Sequence, residues 1–289
     1  MNVDVLSQPP SLGSVFARAA LSVTKRGRKP ELGQLALGLD GVRSESDRLA
    51  YYQRVCGFPE GDLLPATWLH ILAFPLHGAL MTDERFPFPM IGLVHISNVI
   101  TQHRPLQRTD SVDIRARVDN LRSHEKGLLF SIFTDISLQG SKVWEEESTF
   151  LCRGRFPSAH APEAETSNED APVEAPDHMT TWSLPEDLGR RYGRASGDMN
   201  PIHLHALAAR AFGFKRAIAH GMWTQARALA CLSDSLGDRP FSLSTFFKLP
   251  IFLPNQVSFR TQSSEGQTLF EVRDRRGEKP HARGKLTLR

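Results

Sequence analysis

The sequence predicts an α+β protein built twice over, each half an apolar helix followed by about four antiparallel strands. Three observations predict it. Pro105 and Pro250, Val112 and Val257, and Arg115 and Arg260 share one spacing of 145 residues, and several matches in one order point to a duplicated unit. An apolar, strand-free run precedes each set of strands, at 66–81 and at 221–236. Between the halves, 156–181 carries six acidic residues and no Lys or Arg. Such composition cannot bury enough apolar surface to order itself, so a flexible linker is expected there. The expected domains are therefore 1–155, the linker 156–181, and 182–289.

Each element has its own signal. Region 1–61 is the least legible, with a helix expected only over 43–58. The run 66–81 is apolar throughout, and Pro75 is expected to kink it and so make room for a bulky ligand. Strands are expected at 92–100, 110–115, 127–130 and 143–152. In Val112-Asp113-Ile114-Arg115 the alternation is that of a half-buried antiparallel strand. In the second half a short helix is expected over 201–212, opened by Pro201 and stopped by Gly213. The helix 221–236 is rich in alanine and ends at Gly237, a natural C-cap. Strands follow at 241–248, 255–260, 266–270 and 284–288. An apolar helix embraced by a curved sheet is a hotdog arrangement, and two in one chain make a double hotdog.

Composition excludes several classes. The chain has 289 residues, 40% hydrophobic, 23% charged, with net charge +3. That is a globular composition with a sizeable core. The small charge makes no case for nucleic acid but does not oppose an anionic ligand. Three distant cysteines, Cys56, Cys152 and Cys231, draw no disulfide framework and no CxxC metal pair. No apolar run reaches the roughly 20 residues of a membrane helix. The first ten residues lack the apolar core of a secretory signal. A cytoplasmic enzyme is the expectation. The basic run Lys25-Arg26-Gly27-Arg28-Lys29 reads as a solvated loop.

Chemistry concentrates in 192–222. Asp198 and His203 flank Asn200-Pro201. Proline biases Asn200 away from helix, so the chain turns there. Ser196, Asp198 and Asn200 are residues that bond nearby backbone N–H groups. The loop can aim a carboxylate and an imidazole at one water, which general acid–base chemistry requires. Farther on, Ile218-Ala219-His220-Gly221-Met222 opens the long helix. Its first N–H groups lack intrahelical partners and lie at the positive end of the dipole. Glycine at 221 lets a carbonyl approach and its developing negative charge be stabilised. Activated water beside an oxyanion site is the equipment for adding water to an enoyl thioester.

The run Ser196-Gly197-Asp198-x-Asn200-Pro201-x-His203, followed by Ala209, Gly213-Phe214 and Ile218-Ala219-His220-Gly221-Met222, resembles the MaoC-like, (R)-specific enoyl-CoA hydratase (hydratase 2) family of two-hotdog type. The strand 246–254 resembles the family's strand after the central helix. The likeness covers most of 182–289. The N-terminal half resembles the degenerate hotdog of two-hotdog members less distinctly. The resemblance implies that Asp198 and His203 are the catalytic pair, that the Gly221 N–H binds the thioester carbonyl, and that Ser196 and Asn200 shape the loop. It further implies syn addition of water to a (2E)-enoyl-CoA giving the (3R)-3-hydroxyacyl product, with no metal or redox cofactor. Position 205, often acidic in the family, is His205, which puts the loop's polarity and the pKa of His203 in question. The first half has no such loop, and His95 lies in a strand context, so one active site is expected per chain.

Other readings stay beside these. His203-x-His205 is a weak metal pair. His220 is expected to be a hydrogen-bonding structural residue at the substrate site. Tyr192 and Trp223 read as packing. Phe246, Phe247, Phe252 and Phe259 read as core and pocket lining. Lys248 and Arg216 could meet the phosphates of CoA or an acyl carrier protein. A hotdog thioesterase and a non-catalytic thioester-binding subunit are the alternatives to a hydratase. The expected partner is an acyl thioester, and two chains could associate as a homodimer.

Overall fold

The computed structural model describes residues 3–22, 31–156 and 171–289. The basic run at 25–29 and most of the acidic stretch lie outside them. Along the chain run β1 (Asp4–Leu6), α1 (Leu12–Leu21), β2 (Leu35–Val42), α2 (Ser46–Cys56), α3 (Ala66–Thr82), β3 (Val94–Gln102), β4 (Val112–His124), β5 (Gly127–Leu138) and β6 (Ser141–Arg153). They continue as β7 (His178–Leu184), α4 (Leu188–Ser196), α5 (Pro201–Leu204), α6 (Ala206–Ala211), α7 (Gly221–Leu232), β8 (Phe241–Phe247), β9 (Asn255–Ser264), β10 (Gln267–Asp274) and β11 (Pro280–Leu288).

These elements form two compact units that interleave along the chain. The first takes Met1–Ser44, Leu69–Asn98 and Thr109–Thr166; the second takes Glu45–Trp68, Val99–Arg108 and Ser167–Arg289. The sequence reading put one cut near 155. The structure instead gathers α2 and the first turn of α3 with the C-terminal residues.

The strands lie in the order β1-β2-β4-β5-β6-β3 in the first unit, which holds β3 as far as Asn98, and β8-β11-β10-β9-β7 in the second. Both therefore follow one plan: first, fourth, third and second strand of the repeat, then a strand from before the central helix. All pairs within β2-β4-β5-β6 and within β8-β11-β10-β9-β7 that carry a register are antiparallel. The strands β1, β2 and β7 escaped the sequence reading. β7 corrects the C-terminal end of the expected linker. His178–Leu184 pairs along β9, from His178 opposite Thr261 to Leu184 opposite Asn255, and buries Trp182 and Leu184. Pairing with a neighbouring strand supplies order that local composition could not.

The central helix of each unit is apolar because sheet surrounds it. In α3, Leu69, Ala73, Leu76 and Leu80 are fully buried, each large side chain contributing about 1.5–3 kcal/mol. The helix is continuous through Pro75. The packed apolar residues on both sides of the proline hold a helix that local propensity would break. In α7, Ala226 and Ala228 are fully buried beside Leu229. Alanine there lets neighbouring elements approach. α7 ends at Leu232, and the chain leaves through a 3-10 turn at Ser233–Ser235. The single helix expected over 201–212 is two, α5 and α6. They divide at His205, whose backbone is extended with φ −143°.

Candidate active site

The site lies in the second unit and is built by α4, the loop after it, α5 and the start of α7. α4 ends at Gly197, which takes φ 85°, a conformation suited to glycine at a helix C-terminus. The loop then bonds itself into shape. Ser196 Oγ accepts from the Asp198 N–H at 3.1 Å, Asp198 Oδ1 from the Asn200 N–H at 3.1 Å, and Asn200 Oδ1 from the Ile202 N–H at 3.4 Å. Asn200 caps α5, with Pro201 at its first position. Each polar side chain of the motif thus satisfies the backbone two residues on.

His203 leaves α5 toward the segment before α7. Its Nδ1 lies 2.9 Å from the Ile218 carbonyl. A carbonyl only accepts, so Nδ1 carries the proton and Nε2 is the basic nitrogen. Ile218 is itself held, its N–H donating to Ile202 O at 3.1 Å. Ala219 N–H donates to Ile251 O at 2.9 Å, and Leu253 N–H to Ala217 O at 2.8 Å. Burial pushes the His203 pKa down, against the Asp198 charge and the Ile218 carbonyl, which pull it up. His205, by contrast, is exposed and is not among the groups that shift His203.

His220 stacks on His203, ring centroids 3.7 Å apart and planes 25° apart. Its Nε2 donates to the Asp198 backbone carbonyl at 3.1 Å and stands 3.8 Å from Asp198 Oδ2. Burial first, and then the His203 charge, push its pKa well below the ordinary value. His220 is 2% exposed, whereas the Asp198 side chain keeps 28% of its surface. Solvent therefore reaches the carboxylate, and in part His203, while His220 is sealed.

Donor atoms of Asp198, His203 and His220 all lie within 4.8 Å of one another. Two hydrogen bonds of about 2.8 Å meeting at a tetrahedral angle span about 4.6 Å, the scale of that upper bound. The same three donors could hold a metal ion. The sequence had paired His203 with His205 as the weak metal candidate. The structure puts His220 and Asp198 beside His203 instead, because the α5–α6 break turns His205 away.

Gly221 begins α7. A Cβ there would meet the Phe247 ring at 3.1–3.2 Å, so the aromatic ring closes on the bare backbone. Two glycines that sequence reasoning missed are as important. On α4, a Cβ at Gly189 would stand 1.8 Å from His203 O, and one at Gly193 would stand 2.9 Å from Asp198 O. Their spacing of four residues on one helix face is the signal that could have found them.

The remaining expected residues divide clearly. Tyr192 and Trp223 are packed inside, Tyr192 4.9 Å from the His220 ring and Trp223 donating to Val55 O at 3.1 Å. Phe259 is core, while Phe246, Phe247 and Phe252 are half-buried. Lys248 and Arg216 are exposed. Lys248 Nζ lies 5.6 Å from the Phe246 ring centre, and Arg216 donates to Pro254 O at 3.5 Å.

A second histidine–carboxylate set, unforeseen from sequence, lies in the first unit. His70 Nδ1 is 2.8 Å from Glu146 Oε1, and Asn98 donates to the same oxygen at 2.5 Å. His77 Nε2 lies 2.7 Å from Thr134 Oγ1 and 3.8 Å from Glu146 Oε2. His70, His77 and Glu146 are also close enough together to hold a metal. His70 and His77 are seven residues apart, two turns along one face of α3. His95 is not part of a catalytic loop; it is in β3, stacked on Phe150 at 4.5 Å.

Comparison with known proteins places the chain in a family. Residues 164–284 match the family model described as "MaoC like domain". The 3-hydroxyacyl-thioester dehydratase X of Mycobacterium tuberculosis is 31% identical over 276 residues, 96% of this chain and 97% of that protein. The enoyl-CoA hydratase ChsH3 of the same organism is 26% identical over 167 residues, 55% of this chain and 57% of that one. The crystal structure of HtdX from M. tuberculosis superposes with a TM-score of 0.75 at 30% identity, covering 87% of this chain and 99% of that one. With the loop, the helix start and the double-hotdog strand plan all in place, the chain belongs to the MaoC-like dehydratase family.

Proposed function

We propose that this protein is a hydro-lyase on acyl thioesters, interconverting a (2E)-enoyl-CoA and the (3R)-3-hydroxyacyl-CoA. One observation carries the reading: a partly exposed carboxylate and a neutral imidazole within one water's span of each other, on a loop adjoining the start of α7. In hydration, Asp198 and His203 Nε2 accept hydrogen bonds from one water. Asp198 takes a proton as the hydroxyl forms its bond to C3. Electrons of the double bond move toward the thioester oxygen, where the Gly221 N–H receives the charge. The proton returns to C2, with His203 as the partner acid or base. Water and proton arrive from one face, which gives syn addition. Dehydration is the reverse.

Ser196 and Asn200 hold the loop, and His220 ties it to α7 through the Asp198 carbonyl. The three cysteines are free, which fits the proposed cytoplasmic setting. Among the described residues no helix is long and apolar enough to cross a membrane. Association of two chains is the further partner proposal, read by sedimentation. The deciding assay follows crotonyl-CoA or a longer enoyl-CoA by loss of conjugated absorbance. Hydration lost in both Asp198→Asn and His203→Gln supports the mechanism. Full activity in either overturns it, and release of free thiol in place of hydration would make the protein a thioesterase.

A further inference from the structure

The catalytic loop is held from a part of the chain about 150 residues away. Arg48 stands in the first turn of α2, within the same compact unit as the site. Its Nε donates to the Ala195 carbonyl at 2.9 Å and its Nη2 to the Ser196 carbonyl at 2.8 Å. These are the last carbonyls of α4. They lie beyond the reach of the helix's own N–H groups and at the negative end of its dipole, where a cation is favoured. The guanidinium also stands over the Trp68 ring, 5.6 Å from its centre, and Trp68 is fully buried. Two directed hydrogen bonds and an aromatic face fix a planar fork in a way an ammonium would not reproduce.

Asp198 follows two residues after these carbonyls, and its N–H is bound to Ser196 Oγ. One turn along α2, Tyr52 packs on Tyr192 of α4 at 6.1 Å, and Tyr192 packs on His220. The same face of α2 thus addresses both sides of the loop. Arg48 meets the loop at the Ala195 and Ser196 carbonyls, so its action runs through the backbone.

We propose that Arg48 is a positioning residue of the hydratase: by clamping the final carbonyls of α4 it sets the direction in which the Asp198 carboxylate is presented to water. This rests on the catalytic reading of Asp198. A displaced carboxylate still leaves the substrate pocket in place. The effect therefore falls on kcat, not on KM, because misplacement by about 1 Å can cost up to about a hundredfold in rate.

The test uses the full-length protein with crotonyl-CoA. In Arg48→Ala, kcat is expected to fall roughly tenfold to a hundredfold while KM stays within about threefold. Added guanidinium at millimolar concentration should restore part of the rate, and Arg48→Lys should remain impaired. Arg54→Ala, on the same helix but exposed and paired with Glu60, should match the wild type. Wild-type kcat in Arg48→Ala with a lowered melting temperature would make Arg48 merely structural and overturn the proposal. A raised KM with intact kcat would make it a substrate contact and overturn it equally. Should Arg48→Ala not fold, wild-type kcat in Arg48→Lys overturns it. Asp198→Asn, run alongside, separates the two levels. If that variant stays active, the site reading fails; if it is inactive while the Arg48 variants keep full kcat, only this inference fails.

Discussion

In the second unit a carboxylate and two imidazoles gather where a loop meets a helix start; in the first unit Glu146, His70 and His77 gather between a helix and a sheet. Each set is one carboxylate and two imidazoles, and both draw their donor atoms within 4.8 Å. The settings are opposite. Asp198 keeps 28% of its side-chain surface, and its neighbours on the loop are short polar residues that bond backbone. Glu146 is 3% exposed, held by His70 and Asn98, and flanked by strand residues. Burial alone would raise the Glu146 pKa. The charges of His70 and His77 and the hydrogen bonds of His70 and Asn98 overcome it and hold the value at about 2. The comparison teaches that composition does not make a catalytic set. A carboxylate that water can reach is available to the proposed chemistry, and one that water cannot reach is held by its buried partners.

Four outcomes would sharpen or break that contrast. The largest concerns the exposed carboxylate: Asp198→Asn should lower kcat by roughly a hundredfold to ten-thousandfold while thermal unfolding stays close to wild type. A melting temperature that falls with the rate would place Asp198 in the fold as well. The buried carboxylate should behave in reverse. Removing one partner of a buried pair costs about 3–5 kcal/mol, so Glu146→Ala should lose about that much in urea unfolding. Its hydration rate per folded molecule should stay unchanged at low temperature. A dead but stable Glu146→Ala would show that this cluster takes part in the reaction.

A smaller effect is expected at Gly221. The added methyl of Gly221→Ala must displace the Phe247 ring, which stands 3.1–3.2 Å from it, and it crowds the proposed carbonyl site. Hydration should fall about tenfold, which is about 1.4 kcal/mol of barrier. An unchanged rate would remove Gly221 from the site.

The smallest effects are pH dependences. Burial lowers the His77 pKa from 6.5 to about 4. Between these values the unfolded chain binds a proton that the folded chain does not, so stability falls as pH drops from 6.5 toward 4. Glu146, lowered from 4.5 to about 2, adds a further loss as pH falls through that window. Acid titration of unfolding should therefore lose slope in His77→Gln between pH 6.5 and 4. An identical slope in wild type and variant would contradict a buried neutral His77. In the active site the sign is the same but the readout differs. His203 is pushed below the ordinary imidazole value by burial, so the acid limb of kcat/KM should lie below pH 6.5. An acid limb above that value would contradict a His203 whose pKa burial has lowered, and a basic limb near it would show that His203 works protonated.

Legibility in the sequence followed the range of the forces involved. The motif from Ser196 to His203 was readable because its parts act on one another two residues apart. Asp198, Asn200 and Pro201 set the turn by local hydrogen bonds and by proline's fixed φ, and the structure keeps all of these. The repeat was readable because strand alternation repeats at one spacing, and β4 and β9 both fall where Val112 and Val257 predicted. β7 was misread because an edge strand draws its order from the strand beside it, which composition does not show. Gly189 and Gly193 were overlooked because their importance lies in which carbonyls face them.

By itself, then, the sequence determined the double-hotdog plan, the polar loop from Ser196 to His203 and the helix start beside it. All three rest on interactions between near neighbours or on periodic patterns written into one segment. Only the tertiary structure decided that α2 joins the C-terminal unit and that Arg48 reaches Ala195 and Ser196. It also decided that His220, not His205, stands beside His203, and that Glu146 is sealed in while Asp198 is open. Each of those depends on contacts between residues far apart in the chain, whose meeting is fixed by the packing of whole elements and leaves no mark on local spacing.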